Sequence, residues 1–251
     1  MPALLAADLG PGARGGFTTR AGGVSGGPYA AADGGGGLNL ALHVGDDDDR
    51  VAANRALLEE RAGGRVTWMS QVHSARVRLV PAAGPGAEGG GECDALVARR
   101  SAPGAPAVGV MVADCVPLLL ATPGGDLVAA VHVGRQGLAG GVVAATLGVL
   151  AEQGAVVAEL YAALGPSICG RCYEVPEALR AEVATTVPAA HATTSWSTPA
   201  LDIPAGVVSQ LAAAGLTRVQ RAEECTLEDE RFYSYRRDGR TGRFAGIVRP
   251  A

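Results

Sequence analysis

Two histidines and one cysteine draw notice through their placement, not through any local motif. His73 follows the segment TWMSQV, Cys115 ends VGVMVAD, and His132 ends LVAAV two residues before Gly134. Each falls where a β-like run gives way to a turn, so all three can converge at one edge of a sheet. Two neutral imidazoles and a thiolate are a borderline-soft donor set that suits zinc, and three protein ligands leave a fourth tetrahedral position for water. Water on such an ion ionises near pH ~7, giving hydroxide without a dedicated strong base. The same side chains could instead form a nucleophile pair, with Cys115 attacking and His73 or His132 as base. A third reading is purely structural, since a strand-end histidine is often a satisfied core residue and cysteine packs as a small apolar side chain. Spacing leaves these readings open.

Strands must position such a set. β-like runs occur at 16–20, 65–69, 76–80, 95–98 and 108–113. Two more, at 118–121 and 127–132, flank a Pro-Gly-Gly turn at 123–125 and read as a hairpin. Further strands are expected at 160–164, 217–221 and 244–248, and helices at 51–61, about 139–153, 176–183 and 204–214. The acidic run 46–49 precedes the first helix and reads as its cap, favourable at the positive N-terminus. Glycine- or proline-rich loops fill 82–91 and 101–106, and the first fifty residues are mostly loop. So irregular a mixture, with no clear linker, predicts one layered α+β domain over 1–251, with a mixed β-sheet and flanking helices, and not a barrel.

Composition excludes several functions. The 251 residues are 48% hydrophobic, enough for a sizeable core, and carry a net charge of −4, which attracts neither nucleic acid nor an anionic membrane surface. Lysine is absent altogether, so a phosphate-loop lysine and a Schiff base are impossible. The most apolar stretch, 108–122, is interrupted by Asp114 and Pro117 and is too short to span a bilayer, and no basic segment precedes the apolar start. A soluble cytoplasmic protein is expected. Five cysteines are an odd number without regular spacing. Cys169 and Cys172 form a CxxC, which in isolation could be a redox pair or half of a structural zinc site, but no second CxxC exists. Their ordinary reading is a pair of loop thiols, with Cys93 and Cys225 as packing residues. His43 is expected to order its loop, and nothing supports a role for His191.

Ten segments in order carry a resemblance over nearly the whole chain. They are FTTRAGGVSGGPY near the start, LNLALHVGDD at 38–47, NR at 54–55, QVHS at 71–74, DALV at 94–97, ADCVPLLL at 113–120, VAAVHVG at 128–134, LGPSI at 164–168, YEV at 173–175 and FYSYRRDGRTGRFA at 232–245. Together they resemble the laccase-domain family, also called polyphenol oxidase or purine nucleoside phosphorylase-like, whose bacterial members carry the name peptidoglycan editing factor. The resemblance implies zinc bound by His73, Cys115 and His132, with copper possible as a substitute. It also implies phosphorolysis of adenosine, inosine, guanosine or methylthioadenosine, and deamination of adenosine.

For deamination, Asp94 or Asp114 could shuttle protons. For phosphorolysis, arginine must supply the cation that lysine cannot. Arg20, Arg55, Arg236, Arg237 and Arg243 are candidates, each with plain surface charge as the alternative, while Asn39 and Gln71 could hydrogen-bond ribose or base, or simply close turns. One departure stands out: many relatives follow the second histidine with Gly-Trp-Arg-Gly after one small residue, whereas this chain has Gly134, Arg135, Gln136 and Gly137. Arg135 then either takes over the family arginine's duty or alters specificity. Peptidoglycan precursor editing and copper-dependent phenol oxidation are the alternatives, the second weakened by a total of only four histidines.

Overall fold

The computed structural model describes residues 4–80, 89–100 and 107–251. Of the glycine- and proline-rich loops expected from sequence, residues 101–106 and most of 82–91 lie outside the described residues. The strands are β1 (Leu4–Ala6), β2 (Ala13–Thr18), β3 (Ala21–Ser25), β4 (Val66–Trp68), β5 (Val77–Val80), β6 (Ala95–Arg99), β7 (Ala107–Val112), β8 (Val116–Ala121), β9 (Leu127–Val133), β10 (Tyr161–Leu164), β11 (His191–Thr193), β12 (Pro199–Leu201), β13 (Arg218–Arg221) and β14 (Phe244–Pro250). The helices are α1 (Asp48–Ala62), α2 (Arg135–Ala139), α3 (Val142–Glu152), α4 (Glu177–Thr186), α5 (Ile203–Ala213) and α6 (Tyr235–Asp238).

All the strands but β3, which makes only isolated bridges to Gly37, form two principal sheets and a small ribbon of β11 and β12. One sheet has the order β1-β2-β14-β7-β4, antiparallel except at β7–β4. The other runs β13-β10-β8-β9-β6-β5, antiparallel inside and parallel at its two outer pairs. The expected mixed pairing thus holds in both sheets.

Side-chain alternation sets the layers. Along β7, Val108, Val110 and Val112 point between the sheets, where they meet Leu96, Leu119, Val128 and Ala130 of the second sheet. Met111 points the other way, into a cluster with Leu38, Leu40, Leu58 and Trp68 under α1. On β9, Ala129, Val131 and Val133 face outward beneath α3 and α5. The result is a four-layered α–β–β–α stack, and β8 and β9 are buried on both faces, which is why they read as continuous apolar runs. The helix expected at about 139–153 is α3; Gly141 at φ +82°, outside the helical region, sets its start and separates it from the short α2, which the sequence reading did not include. The acidic run does cap α1: Asp47 accepts hydrogen bonds from the amides of Asp49 and Arg50.

Candidate metal centre and adjoining cavity

The second sheet gathers the candidate ligands at one end. β8 and β9 are antiparallel, with Val116 opposite Val133, so Cys115 just before β8 lies beside His132 near the end of β9. β6 starts on the other side of β9, with Ala95 opposite Val131, and this sets Asp94 beside His132, whose amide donates to the Asp94 carbonyl at 2.8 Å. His73 lies in the turn before β5, the next strand outward. One ligand atom each from His73, Cys115 and His132 lie within 4.8 Å of one another, and the two imidazoles meet edge to face with centroids 4.7 Å apart.

The turns that carry the candidate ligands hold two non-glycine residues in left-handed backbone conformations. His73 has φ +59° and Asp114 φ +95°, conformations rare for side chains other than glycine and characteristic of functional sites. Asp114 is the pivot at which the chain passes from β7 in one sheet to β8 in the other within three residues. Asp94 holds the His73 turn. Its buried carboxylate accepts from the amides of Val72, His73 and Ser74, from the Ser74 hydroxyl at 2.8 Å, and from His132 Nδ1 at 2.8 Å. With Nδ1 engaged, His132 presents Nε2 to Cys115, the carboxylate–histidine arrangement that orients a metal ligand.

Electrostatics favour the binding-competent thiolate. Burial pushes the Cys115 thiol up, but the charge and hydrogen bond of His132, aided by His73, outweigh it and hold it at about 6. Burial pulls His132 down, yet Cys115 and Asp94 raise it to about 9. Burial likewise opposes ionisation of Asp94, but hydrogen bonds from His132 and Ser74 bring it to about 2. Gly134 completes the fit: a Cβ there would stand 2.9 Å from His73 Cδ2 and 3.1 Å from Cys115 Sγ. A soft thiolate, an oriented imidazole and a second imidazole, with no side chain between them, suit a zinc-sized cation.

A cavity of about 430 Å³ opens beside Cys115, within the size range of small-molecule sites (roughly 300–1,000 Å³). Asp114, Arg135, Tyr173, Tyr235 and Arg236 line it. Asp114 accepts from the Thr226 hydroxyl and from the Arg236 amide, both at 2.7 Å. The Arg236 guanidinium lies over the Tyr173 ring, 5.1 Å from its centroid, and Tyr235 is 62% exposed. A larger depression of about 720 Å³ shares Arg236 but includes none of His73, Cys115 and His132, so the cavity that adjoins the candidate metal centre is the smaller one.

The sequence-based candidates divide. Arg135, Arg236 and Asp114 meet at the cavity. Asp94 does not line it; its carboxylate is enclosed and saturated with donors, so it orients His132 and the His73 turn instead of moving protons to a substrate. Asn39 is buried and braces a loop, donating to the Ala41 carbonyl and to Asp46 and accepting from the Arg243 amide. Gln71 clamps the chain, donating to the Met111 carbonyl at 2.7 Å and accepting from the Met111 amide at 2.9 Å. Arg55 donates to the Leu40 carbonyl and, with Gln71 and His43, borders a different depression of about 490 Å³. Arg237 is a brace, bonded to the carbonyls of Thr226 and Phe232, and Arg20 donates to the Ala30 carbonyl. Sequence reading missed Tyr173, Tyr235 and Thr226 as site residues; the tyrosines' signal was their place in the YEV and FYSYRRD segments. It also missed that Cys225 joins the CxxC: Cys169, Cys172, Cys225 and Glu228 form a second group with ligand atoms within 4.8 Å of one another.

Fold and site together define an α+β protein with a candidate His–Cys–His metal centre at a sheet end, opening on a small-molecule cavity. The chain belongs to the family described as multi-copper polyphenol oxidoreductase laccase, which matches residues 14–250. It is 48% identical to a purine nucleoside phosphorylase of Streptomyces coelicolor, over 94% of this chain and 95% of that one, and 41% identical to one of Corynebacterium glutamicum, over 92% of each. Among solved structures it is similar to YlmD from Geobacillus stearothermophilus, with a TM-score of 0.84 and 30% identity over 95% of this chain and 92% of that one. A Neisseria meningitidis protein gives 0.83 and 33%, over 98% of both chains.

Proposed function

We propose that this chain is a zinc-dependent purine nucleoside phosphorylase that also deaminates adenosine, acting on adenosine, inosine, guanosine and methylthioadenosine. The observation that carries the reading is the oriented His73, Cys115 and His132 set beside a cavity that combines tyrosine rings with guanidinium groups. The relatives' name supports it. Tyr173 and Tyr235 offer flat faces to a purine, and Arg135 and Arg236 supply the charge that phosphate needs in a protein without lysine. Asp114 keeps its carboxylate at the cavity through Thr226 and the Arg236 amide, where it can take up or return a proton. Asp94 fixes the His132 tautomer. Zinc, when bound by His73, Cys115 and His132, supplies Lewis acidity.

The test is direct. Zinc-loaded protein should release hypoxanthine from inosine only when phosphate is present, and should form inosine from adenosine without phosphate, both followed by chromatography. His73→Ala should bring both to background. No conversion of either nucleoside by the metal-loaded protein, with His73→Ala indistinguishable from it, would overturn the reading.

A further inference from the structure

The CxxC left unassigned by sequence has a partner that only the fold reveals. β10 and β13 are parallel neighbours, with Leu164 opposite Arg221, so the segments leaving their C-terminal ends run side by side. Ser167 bridges Cys225, the Ala222 amide donates to the Leu164 carbonyl, and the Thr226 amide donates to the Ser167 carbonyl. This places Cys169 and Cys172 against Cys225 and Glu228, whose spacing, CxxE, repeats that of CxxC.

The two turns match in backbone as well. The amides of Cys172 and Tyr173 both donate to the Cys169 carbonyl, and the amides of Glu228 and Asp229 both donate to the Cys225 carbonyl. Each turn therefore presents donors at its first and fourth residues. All three cysteines are free, Cys172 and Cys225 are buried, and the Cys169 amide points at Cys225 Sγ from 3.4 Å. Glu228 is exposed and closes the group from the solvent side. A disulfide would use two sulfurs and strand the third, whereas a tetrahedral cation uses all three and the carboxylate.

We propose that Cys169, Cys172, Cys225 and Glu228 bind a second zinc ion as a closed, four-ligand structural site. Four protein donors leave no open position, which distinguishes it from the centre formed by His73, Cys115 and His132. Its role is to fasten two loops that shape the cavity. The first carries Ile168 and Tyr173 on the wall, and the second carries Thr226, which holds Asp114. Arg237, bonded to the Thr226 carbonyl, extends the fastening to α6. This inference does not rest on nucleoside chemistry, and its test reads metal, not turnover.

Full-length protein, reduced, stripped of metal, reloaded with zinc and desalted, should retain one ion at each cluster by mass-spectrometric metal analysis. His73→Ala should retain one, and that ion should shield Cys169, Cys172 and Cys225 from alkylation in peptide mapping. In the His73→Ala background, cobalt should give intense thiolate charge-transfer absorption, which Cys225→Ser removes. Because Cys225 is buried and its replacement can disturb folding, the exposed Glu228→Gln provides the second variant: it should stay folded yet hold the second ion about tenfold or more weakly. If His73→Ala retains no zinc and no cobalt, or if the three thiols alkylate equally with and without zinc, the site does not exist. A mass deficit of two hydrogens in unreduced protein, locating a disulfide among these cysteines that persists in the zinc-treated sample, would overturn it as well.

Discussion

Asp94 shows how a residue that does not line the cavity can govern the candidate metal centre. One buried carboxylate fixes the His132 tautomer and the backbone turn that carries His73, so two of the three ligands depend on it. Asp94→Asn should weaken zinc binding by about 10–100-fold, the usual cost of a lost outer partner, measured by competition with a chromophoric chelator. Its pH signature follows from the depressed value. In metal-free protein the Asp94 carboxyl ionises at about 2 against an ordinary 3.8, so its stabilisation is complete above the ordinary value and fades as pH falls through about 2. The gap in unfolding free energy between wild type and Asp94→Asn should therefore narrow by about 2 kcal/mol on acidification from about pH 5 to about 2; an unchanged gap would contradict the assignment. Thiol chemistry gives a second check. With Cys115 at about 6 and Cys93 pushed by burial to about 11, alkylation of metal-free protein near neutral pH should modify Cys115 and spare Cys93, and zinc should protect Cys115.

At the scale of elements, the turns decide whether strand ends become a site. Gly134 caps α2 with φ −85°, which any residue adopts, so Gly134→Ala tests space alone. It should leave the melting temperature nearly unchanged while lowering zinc affinity about tenfold or more, because the new methyl meets His73 and Cys115. Gln71 works by tying the His73 turn to the end of β7; Gln71→Ala strips both Met111 backbone groups of their partner and should cost about 1–3 kcal/mol in denaturant unfolding. Such elements were legible in sequence when their signal was local. β8, β9 and their turn announce themselves through apolar runs around Pro-Gly-Gly, and with them Cys115 and His132. β1 and the strands of the β11–β12 ribbon carry three residues each, too few for a period to show, and β3 is hidden by its adjacent glycines. The Cys225 and Glu228 partnership was invisible for another reason: it depends on β10 pairing with β13 across more than fifty residues. Asn39 and Gln71 look like ligand-binding polar groups in sequence, and only the backbone partners show them to be braces.

On the scale of the whole molecule, the core between the two sheets reaches the cavity wall at Ala113 and Cys115, while Leu119 lies deeper along β8, paired with Ala130. Leu119→Ala, a truncation in that layer, should cost about 2–5 kcal/mol of stability while zinc stoichiometry stays at the wild-type value, by calorimetry and metal analysis. Copper chemistry is likewise bounded by the arrangement of the chain: two histidines share one cluster, the second cluster has none, and His43 and His191 belong to neither. Phenol oxidation after copper loading should therefore vanish with His73→Ala, because copper, which binds such a donor set more tightly than zinc, would occupy that one cluster. Cys115 and His132 sit at the paired ends of β8 and β9 and His73 in the turn before β5, whereas Tyr173 comes from the connection after β10 and Tyr235 and Arg236 from α6, between β13 and β14. Inheritance can act on the two parts separately. Under the proposed function, side-chain changes at Tyr173, Tyr235 and Arg236 would redraw recognition while His73, Cys115 and His132 stay in place, so a lineage built on this scaffold could drift from one substrate to another through intermediates that are never inert.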